Sequence, residues 1–239
     1  MKQRSEGKHR TVAVLCMAAI VCVLCIFALI WDALLLRCVD EAQSSLLAVA
    51  YGEEIERPRI DFPALKEINP DVCGWICIEG TNIDFPILRG EDNELYLNTD
   101  FYGNRSFMGS IFMDCRCAAD FSDDFTLIYG HNVKGGRMFA DLCKFKNQSF
   151  FDAHPDAVLE LPDEEEPILL HLAAVLSIPA DDPDIFGFEQ TVTAALLLEK
   201  ASIANREILE NSAHFIAFST CSYAYKGERC VIIYVAYPA

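Results

Sequence analysis

The feature that most constrains the fold of this chain is an apolar segment near its start. Val12–Trp31 is an uninterrupted apolar stretch of 20 residues. As a helix it would rise about 30 Å, which matches the hydrocarbon core of a bilayer. Only Glu6 opposes the four basic residues that precede it, which are Lys2, Arg4, Lys8 and Arg10. By the positive-inside rule, we expect residues 1–11 in the cytoplasm, a transmembrane signal anchor over residues 12–36, and the rest outside the cell.

A cleavable signal peptide is the alternative for this segment. The apolar region is longer than a signal-peptide core, and no small-x-small cleavage site follows it. A lipoprotein signal at Leu35–Cys38 is excluded because Arg37 occupies a position that needs a small residue. We therefore favour an uncleaved single-pass anchor in the cell membrane.

Charge differs sharply between the two sides of this segment. Residues 1–37 contain five basic and two acidic residues, whereas the remainder contains fourteen basic and thirty-four acidic residues, a net charge of −20. So acidic an outer region disfavours nucleic acid or an anionic lipid surface as its partner. It suits a soluble domain held above a membrane.

The outer region reads as a short linker followed by one domain. Residues 37–60 form a juxtamembrane linker with a predicted helix at Asp40–Glu56, and residues 61–239 are enough for one domain with a full core. Two further helical stretches are predicted at Met138–Phe145 and Val192–Glu210. Eight short runs are typical of strands, and they are Gly74–Glu79, Ile83–Leu88, Ser110–Asp114, Phe125–Tyr129, Ala157–Leu161, Ile168–Ile178, His214–Ser219 and Cys230–Tyr237. This pattern predicts a mostly β fold, either a closed antiparallel barrel or a sandwich.

Cysteine is frequent but does not form a metal-binding pattern. Four of the eleven cysteines lie in or beside the apolar segment, and seven follow it, namely Cys73, Cys77, Cys115, Cys117, Cys143, Cys221 and Cys230. An odd number leaves at least one thiol free unless a bridge is intermolecular. We expect most of them to be small core residues and predict no metal and no other cofactor.

Two segments end predicted strands on reactive side chains. Thr126–Asn132 contains His131, and Phe218–Cys221 is followed eight residues later by Arg229. A strand end holds a side chain rigidly while exposing it to solvent. A thiol nucleophile, an imidazole acid and base, and a guanidinium for an oxyanion suffice for acyl transfer through a thioester. A surface salt bridge is the alternative role for Arg229.

At these residues the chain resembles the class B sortases, which are cysteine transpeptidases of Gram-positive bacteria. Tyr129–Asn132, Ser219–Cys221 and Arg229 are similar to the histidine, cysteine and arginine signatures of that family. The resemblance extends from about Asn69 to Tyr237 and includes Asn69–Ile76, Thr81–Ile87, Asp92–Leu97, Gly109–Asp114 and Gly136–Phe145. A helical insertion around residues 190–210 is similar to the one that marks class B.

The resemblance implies a closed eight-stranded sortase barrel with an N-terminal helix and a long helical insertion before the cysteine strand. It implies that Cys221 attacks the carbonyl of a Thr in the C-terminal sorting signal of a surface protein, and that a cell-wall precursor amine resolves the thioester. His131 would be the acid and base, and Arg229 would steady the oxyanion or the substrate. The residues implied to bind the peptide are Tyr129, Ser219, Thr220 and Asn93.

Two other functions remain open from the residues alone. A secreted-side cysteine peptidase would use the same thiol and imidazole, but usually with an Asn or Asp that orients the histidine. A non-enzymatic surface binding domain would leave Cys221 buried and unreactive. The signal pentapeptide and the choice between a wall precursor and a pilin lysine as acceptor do not follow from the residues.

Overall fold

The computed structural model describes residues 2–51, 59–222 and 227–236 of the chain. The chain divides into two units, Met1–Asp61 and Phe62–Ala239. In the first unit the predicted anchor and the first part of the predicted juxtamembrane helix form one continuous helix, α1, Lys2–Tyr51. Residues 52–56 of that predicted helix lie outside the described residues. Within α1, Met17–Ala50 is long and apolar enough to cross a membrane, with a mean hydropathy of 2.8.

The second unit is built around a closed β-barrel. Its strands run β11–β10–β4–β3–β2–β1–β7–β8, and β8 pairs back onto β11 to complete a ring of eight. Those strands are β1 Val72–Cys77, β2 Asp84–Leu88, β3 Phe112–Met113, β4 Phe125–Tyr129, β7 Asp156–Glu160, β8 Ile168–Pro179, β10 Phe215–Cys221 and β11 Glu228–Ala236. The closed eight-stranded barrel predicted from the sequence is thus confirmed.

Three short strands lie outside the ring. β5 (Asn132–Val133) and β6 (Arg137–Met138) form a separate hairpin just after β4. β9 (Ala201–Ala204) adds to the outer edge of β8.

Two neighbouring pairs in the barrel are parallel, where an antiparallel barrel was predicted. β2 pairs with β3 and β4 pairs with β10 in parallel, and the other pairs in the ring are antiparallel. Parallel pairing requires a long crossover between the strands, and the chain between β4 and β10 spans β5 to β9 and several helices. The consequence is that β4 and β10 end at the same edge of the barrel.

The helices of the second unit are short, and side chains cap several of them. α2 (Phe62–Ile68) precedes the barrel, and the stretch predicted as helix at Met138–Phe145 is a 3-10 helix, Ala140–Lys146. It leads into α3 (Gln148–Ala153), where the Asn147 side chain accepts from two backbone N–H groups. α4 (Pro183–Phe186) follows β8 and is capped by Asp182.

The stretch predicted as one helix at Val192–Glu210 is two short helices with a strand between them. α5 is Ala194–Lys200 and α6 is Arg206–Glu210. Between them β9 forms because Ala201–Ala204 finds an unpaired edge of β8, and that pairing outweighs the helix propensity of the stretch. The segment before the cysteine strand is therefore helical only in part.

Aromatic side chains fill the barrel behind the strand ends that carry the predicted site. Phe218 on β10 packs edge-on against Phe139, with ring centroids 5.8 Å apart, and against Tyr234 of β11 at 5.7 Å. All three rings are fully buried. Because a close-packed interior restricts side-chain and backbone movement, this cluster gives β10 a rigid base three residues before Cys221.

Candidate active site

Three adjacent strands bring the predicted site residues to one edge of the barrel. β10 runs parallel to β4, with Ser219 opposite Tyr129, and antiparallel to β11, with Cys221 opposite Arg229. Two residues beyond the Ser219–Tyr129 pair the chain reaches Cys221 on one strand and His131 on the other. Since paired strands lie about 4.8 Å apart, Cys221 sits between the backbones of His131 and Arg229.

The guanidinium of Arg229 is in direct contact with the Cys221 thiol. Its Nη1 lies 2.5 Å from Sγ of Cys221. Cys221 is half-buried, so the sulfur is held by the fold and still reaches the surface. A cationic donor this close to the sulfur is also close to any carbonyl oxygen that the sulfur attacks, where negative charge develops.

The imidazole of His131 is oriented by a backbone carbonyl. Its Nε2 lies 2.9 Å from the carbonyl oxygen of Leu97, at the end of the 3-10 helix Leu95–Leu97. A carbonyl oxygen only accepts, so Nε2 carries the hydrogen there, and in the neutral ring Nδ1 is the basic nitrogen. The ring is half-buried at the same edge of the barrel as Cys221.

Asn132 ties the nucleophile strand to the histidine segment. Its Nδ2 donates to the carbonyl oxygen of Cys221 at 2.8 Å and to Sγ of Cys143 at 3.4 Å. The hydroxyl of Thr220 makes a second tie one residue earlier, donating to the carbonyl oxygen of Gly130 at 2.8 Å. Together these bonds hold the ends of β4 and β10 together next to the reacting groups.

Ser219 and Thr220, predicted to bind the peptide, have buried side chains. Each is 2% exposed, and the Thr220 hydroxyl is used by the backbone of Gly130. Their burial places them beneath the site surface, where they support Cys221. A direct role in binding peptide stays a prediction for both residues.

Tyr129 and Asn93, also predicted to bind the peptide, converge on one buried carboxylate. Oδ2 of Asp114, which is fully buried, accepts from the Tyr129 hydroxyl at 2.8 Å and from Nδ2 of Asn93 at 2.9 Å. Arg116 donates to both oxygens, from Nε at 2.8 Å and from Nη2 at 2.6 Å. Asp114 therefore fixes two of the predicted peptide contacts.

The electrostatics of this cluster follow from the Asp114–Arg116 pair. Burial disfavours the charged carboxylate, but the hydrogen bonds from Arg116 and Tyr129 outweigh it and lower the pKa of Asp114. The pKa of the Tyr129 phenol is raised, first by its own burial and then by the negative charge of Asp114. Tyr129 is thus held as a neutral donor.

Arg116 also connects the cluster to the segment that follows β8. Its guanidinium donates to the carbonyl oxygens of Phe186, at 3.1 Å, and Gly187. It also stacks over the Phe188 ring, 4.1 Å from the centroid. Arg116 therefore links the Pro183–Phe188 segment to the same carboxylate that orients Tyr129 and Asn93.

A lysine outside the predicted set joins the residues that flank Cys221 and Arg229. Nζ of Lys146 lies 2.9 Å from Oγ of Ser222 and 2.9 Å from Oε1 of Glu228. Glu228 is 3% exposed. Burial raises its pKa, but hydrogen bonds from Ser222 and Lys146 prevail and leave it lowered. Lys146 thereby fixes the two strand ends that carry the thiol and the guanidinium.

None of the described cysteines of the domain is paired in a disulfide in this structure. The seven cysteines after the apolar segment all carry free thiols, in agreement with the expectation that at least one is unpaired. Across residues 2–51, 59–222 and 227–236, no group of three or more His, Cys, Asp or Glu side chains is arranged to hold a metal ion.

Comparison with known proteins places the chain in a family. No protein-family profile matches it. Sortase B of Listeria monocytogenes is 46% identical over 97 residues, which is 41% of this chain and 39% of that protein. Sortase B of Staphylococcus aureus is 31% identical over 186 residues, covering 76% of this chain and 75% of the relative. The chain belongs to the class B sortases.

Solved structures agree with this assignment. A class B sortase of Streptococcus pyogenes involved in pilus biogenesis superposes with a TM-score of 0.67 at 30% identity, covering 74% of this chain and 98% of that one. A Staphylococcus aureus sortase B in complex with substrate gives a TM-score of 0.66 at 26% identity, covering 84% and 94%. This sortase therefore resembles a family of cysteine transpeptidases in both its barrel fold and its sequence.

Proposed function

We propose that this sortase is a membrane-anchored transpeptidase that cleaves a C-terminal sorting signal after Thr and transfers the protein to a cell-wall amine. The observation that carries the proposal is the strand register that sets Cys221 between the His131 segment and Arg229. The Staphylococcus aureus sortase B that was solved with a substrate supports a peptide ligand of this kind.

In the first half-reaction, Sγ of Cys221 attacks the carbonyl carbon of the Thr residue. Because Nε2 of His131 is engaged by the Leu97 carbonyl, Nδ1 accepts the thiol proton. The Arg229 guanidinium, already at the sulfur, donates to the oxyanion that forms. Collapse breaks the peptide bond, His131 returns the proton to the departing amine, and a thioester remains on Cys221.

In the second half-reaction an amine resolves the thioester. The amine attacks the thioester carbonyl, His131 removes its proton, and Cys221 leaves as a thiol. An amine bound in the site has a large effective-concentration advantage over disordered water. Product is therefore an amide whenever the acceptor is present.

The proposed anchor is the apolar part of α1. Its length and hydropathy suit a bilayer, and the basic residues before Val12 favour a cytoplasmic N-terminus. The barrel then works on the outer face of the cell membrane, where surface proteins and wall precursors meet. A cleaved signal peptide would leave the same domain free of the membrane.

The runner-up is a cysteine peptidase that releases free acid. Such enzymes usually orient the histidine with an Asn or Asp side chain. Here Nε2 of His131 is bound by a backbone carbonyl, while the Asn132 amide donates to Cys221 and Cys143. A non-enzymatic binding domain is disfavoured because Cys221 is half-buried rather than enclosed and touches a cation.

Product analysis separates these functions. The purified protein in detergent is incubated with a fluorescent sorting-signal peptide, with and without a glycine- or diaminopimelate-like amine. A transpeptidase diverts product from acid to amide as the amine is raised, and Cys221→Ala and His131→Ala form neither. Brisk cleavage that yields only free acid with every acceptor would replace the transpeptidase with a peptidase.

A further inference from the structure

Two further thiols, those of Cys143 and Cys230, lie near the active-site cysteine. Cys143 is on the 3-10 helix Ala140–Lys146, and Cys230 is on β11, next to Arg229. Sγ of Cys143 lies 3.9 Å from the carbonyl oxygen of Cys221, and Sγ of Cys230 lies 3.6 Å from the carbonyl oxygen of Leu142. Leu142 directly precedes Cys143, so the Cys230 sulfur lies against the turn of the 3-10 helix that carries Cys143, and each thiol perturbs the pKa of the other.

We propose that Cys143 and Cys230 form a dithiol site that reacts with low-molecular-weight disulfides and closes to an intramolecular disulfide without using Cys221. The two residues differ in access. Cys143 is half-buried and reaches solvent, whereas Cys230 is fully buried. A reagent from solvent therefore reaches Cys143 before Cys230.

The surroundings of the pair favour reaction at Cys143. The hydrogen bond from Cys230 lowers the pKa of Cys143 to about 7; burial opposes this and the Lys146 ammonium assists it, while Glu228 acts in the opposite direction. Roughly half of this thiol is thus thiolate at neutral pH, and the thiolate is the attacking species in disulfide exchange. Asn132 Nδ2, at 3.4 Å, gives the sulfur a further donor.

Cys230 is suited to the second step rather than the first. Its pKa is raised by the hydrogen bond to Cys143, by burial and by the negative charge of the Cys143 thiolate. Once the Cys143 sulfur is capped, that charge is gone and the Cys230 proton is easier to remove. Capping of Cys143 thus makes Cys230 easier to deprotonate and more nucleophilic.

The electron balance is that of ordinary thiol–disulfide exchange. The Cys143 thiolate attacks one sulfur of oxidised glutathione, forming a mixed disulfide and releasing one glutathione thiolate. Cys230 loses its proton, attacks Sγ of Cys143 and expels the second glutathione thiolate. Two protein thiols are oxidised, one glutathione disulfide is reduced to two thiols, and the protein protons end on glutathione.

The two buried thiols elsewhere in the domain, Cys73 and Cys117, are less suited to this reaction. Burial raises the pKa of Cys73 to about 12 and that of Cys117 to about 11. Cys73 Sγ faces the Ile87 carbonyl oxygen at 3.4 Å, and Cys117 Sγ faces that of Phe125 at 3.8 Å. Cys117 therefore provides a matched control, because it is a buried thiol on the same barrel with a carbonyl neighbour.

The test maps disulfides rather than activity, so its outcome is independent of the proposed transpeptidation. The full chain in detergent is reduced, freed of reductant, treated with oxidised glutathione, alkylated and digested without reduction for mass spectrometry. We expect one linkage between the peptides that contain Cys143 and Cys230, and the same linkage in Cys117→Ala and Cys221→Ala. A linkage from Cys143 to Cys221, or full alkylation of Cys143, overturns the proposal.

Single-thiol variants test the order of the two steps. In Cys230→Ala the resolving thiol is missing, so a glutathione adduct should accumulate on Cys143. In Cys143→Ala the buried Cys230 should stay unmodified. An adduct on Cys230 in that variant would reverse the assigned order and contradict the proposal. If either variant unfolds, as judged by thermal melting, the wild-type map still decides the linkage.

Discussion

Arg229 and Cys221 face each other across the β10–β11 ladder, and this pairing gives the clearest test at the scale of a residue. A guanidinium offers a planar fork of donors, whereas a lysine ammonium offers a point charge on a flexible stem. Arg229→Lys should lose roughly 10²-fold in the rate of peptide cleavage while its thermal melt stays near wild type. Near-normal turnover in this variant would indicate that Arg229 forms only a surface salt bridge and does not act on the oxyanion.

Asp114 is a second residue-scale test because it touches no reacting atom but holds Tyr129 and Asn93. Asp114→Asn keeps the shape and removes the charge that Arg116 and Tyr129 bind. We expect substrate binding to weaken by about 1.4 kcal/mol, which lowers kcat/KM by roughly tenfold, mainly through KM. Asp120→Asn, an exposed aspartate six residues on, is the matched control.

Absorbance titration of Tyr129 distinguishes this positioning role from a general loss of structure. The Asp114 charge contributes to the raised pKa of the Tyr129 phenol, after burial. Removing the charge should move that phenol to a lower pH while the other tyrosines titrate as before. An unchanged tyrosine titration together with an unchanged KM would show that Asp114 does not position the Tyr129 side chain.

At the scale of the elements, Lys146 links the 3-10 helix to the ends of β10 and β11. Lys146→Met leaves the buried Glu228 without its cation, so the free energy of unfolding should fall by about 2 kcal/mol, below the cost for a fully buried pair because Lys146 is partly exposed. Lys134→Met changes an exposed lysine and should leave stability near wild type. The double variant Lys146→Met/Glu228→Gln should recover part of the loss in denaturant melts.

The same pair predicts a pH dependence with a definite sign. The pKa of Glu228 is lowered in the folded protein, against burial, by Ser222 and Lys146. Its contribution to stability is therefore present above the ordinary glutamate pKa of about 4.3 and is lost as the pH falls through the lowered value. The stability gap between wild type and Lys146→Met should narrow over that range, and a gap that widens on acidification would contradict the assignment.

Much of the element pattern could be predicted from the sequence because barrel strands carry local signals. β8 and β10 are long apolar runs bounded by polar residues, and both were placed within a few residues. The parallel pairing of β4 with β10 could not be predicted, since it depends on a crossover of more than eighty residues. β9 was assigned to a helix because its alanines favour helix locally, and only the edge of β8 makes it a strand.

Site residues whose chemistry depends on residue type could be chosen from the sequence. Contacts that depend on the register of the strands could not. His131, Cys221 and Arg229 lie at or next to the ends of strands and could be selected from the sequence. Asp114 and Lys146 resemble ordinary surface charges in the sequence, and only the fold buries Asp114 and the Glu228 partner of Lys146. Asn132 follows the histidine directly, but its bond to the Cys221 carbonyl follows from the parallel register.

At the scale of the whole molecule, the proposed topology has α1 in the membrane and the catalytic domain outside the cell. Protease added to intact protoplasts should digest the chain beyond Arg37, because the basic residues before Val12 favour a cytoplasmic N-terminus. Immunoblots against tags at either end provide the measurement. Protection of the domain together with cleavage of the N-terminal tag would reverse the topology.

We propose that Cys221 carries the acyl group between the two half-reactions, and intact-mass spectrometry can detect that acyl-enzyme. The protein is mixed with a sorting-signal peptide without an amine acceptor and quenched in acid. We predict a mass increase equal to the peptide through its Thr residue, mapped to Cys221, discharged by hydroxylamine and lacking in Cys221→Ala. Turnover without such an adduct, or an adduct on another residue, would contradict the account.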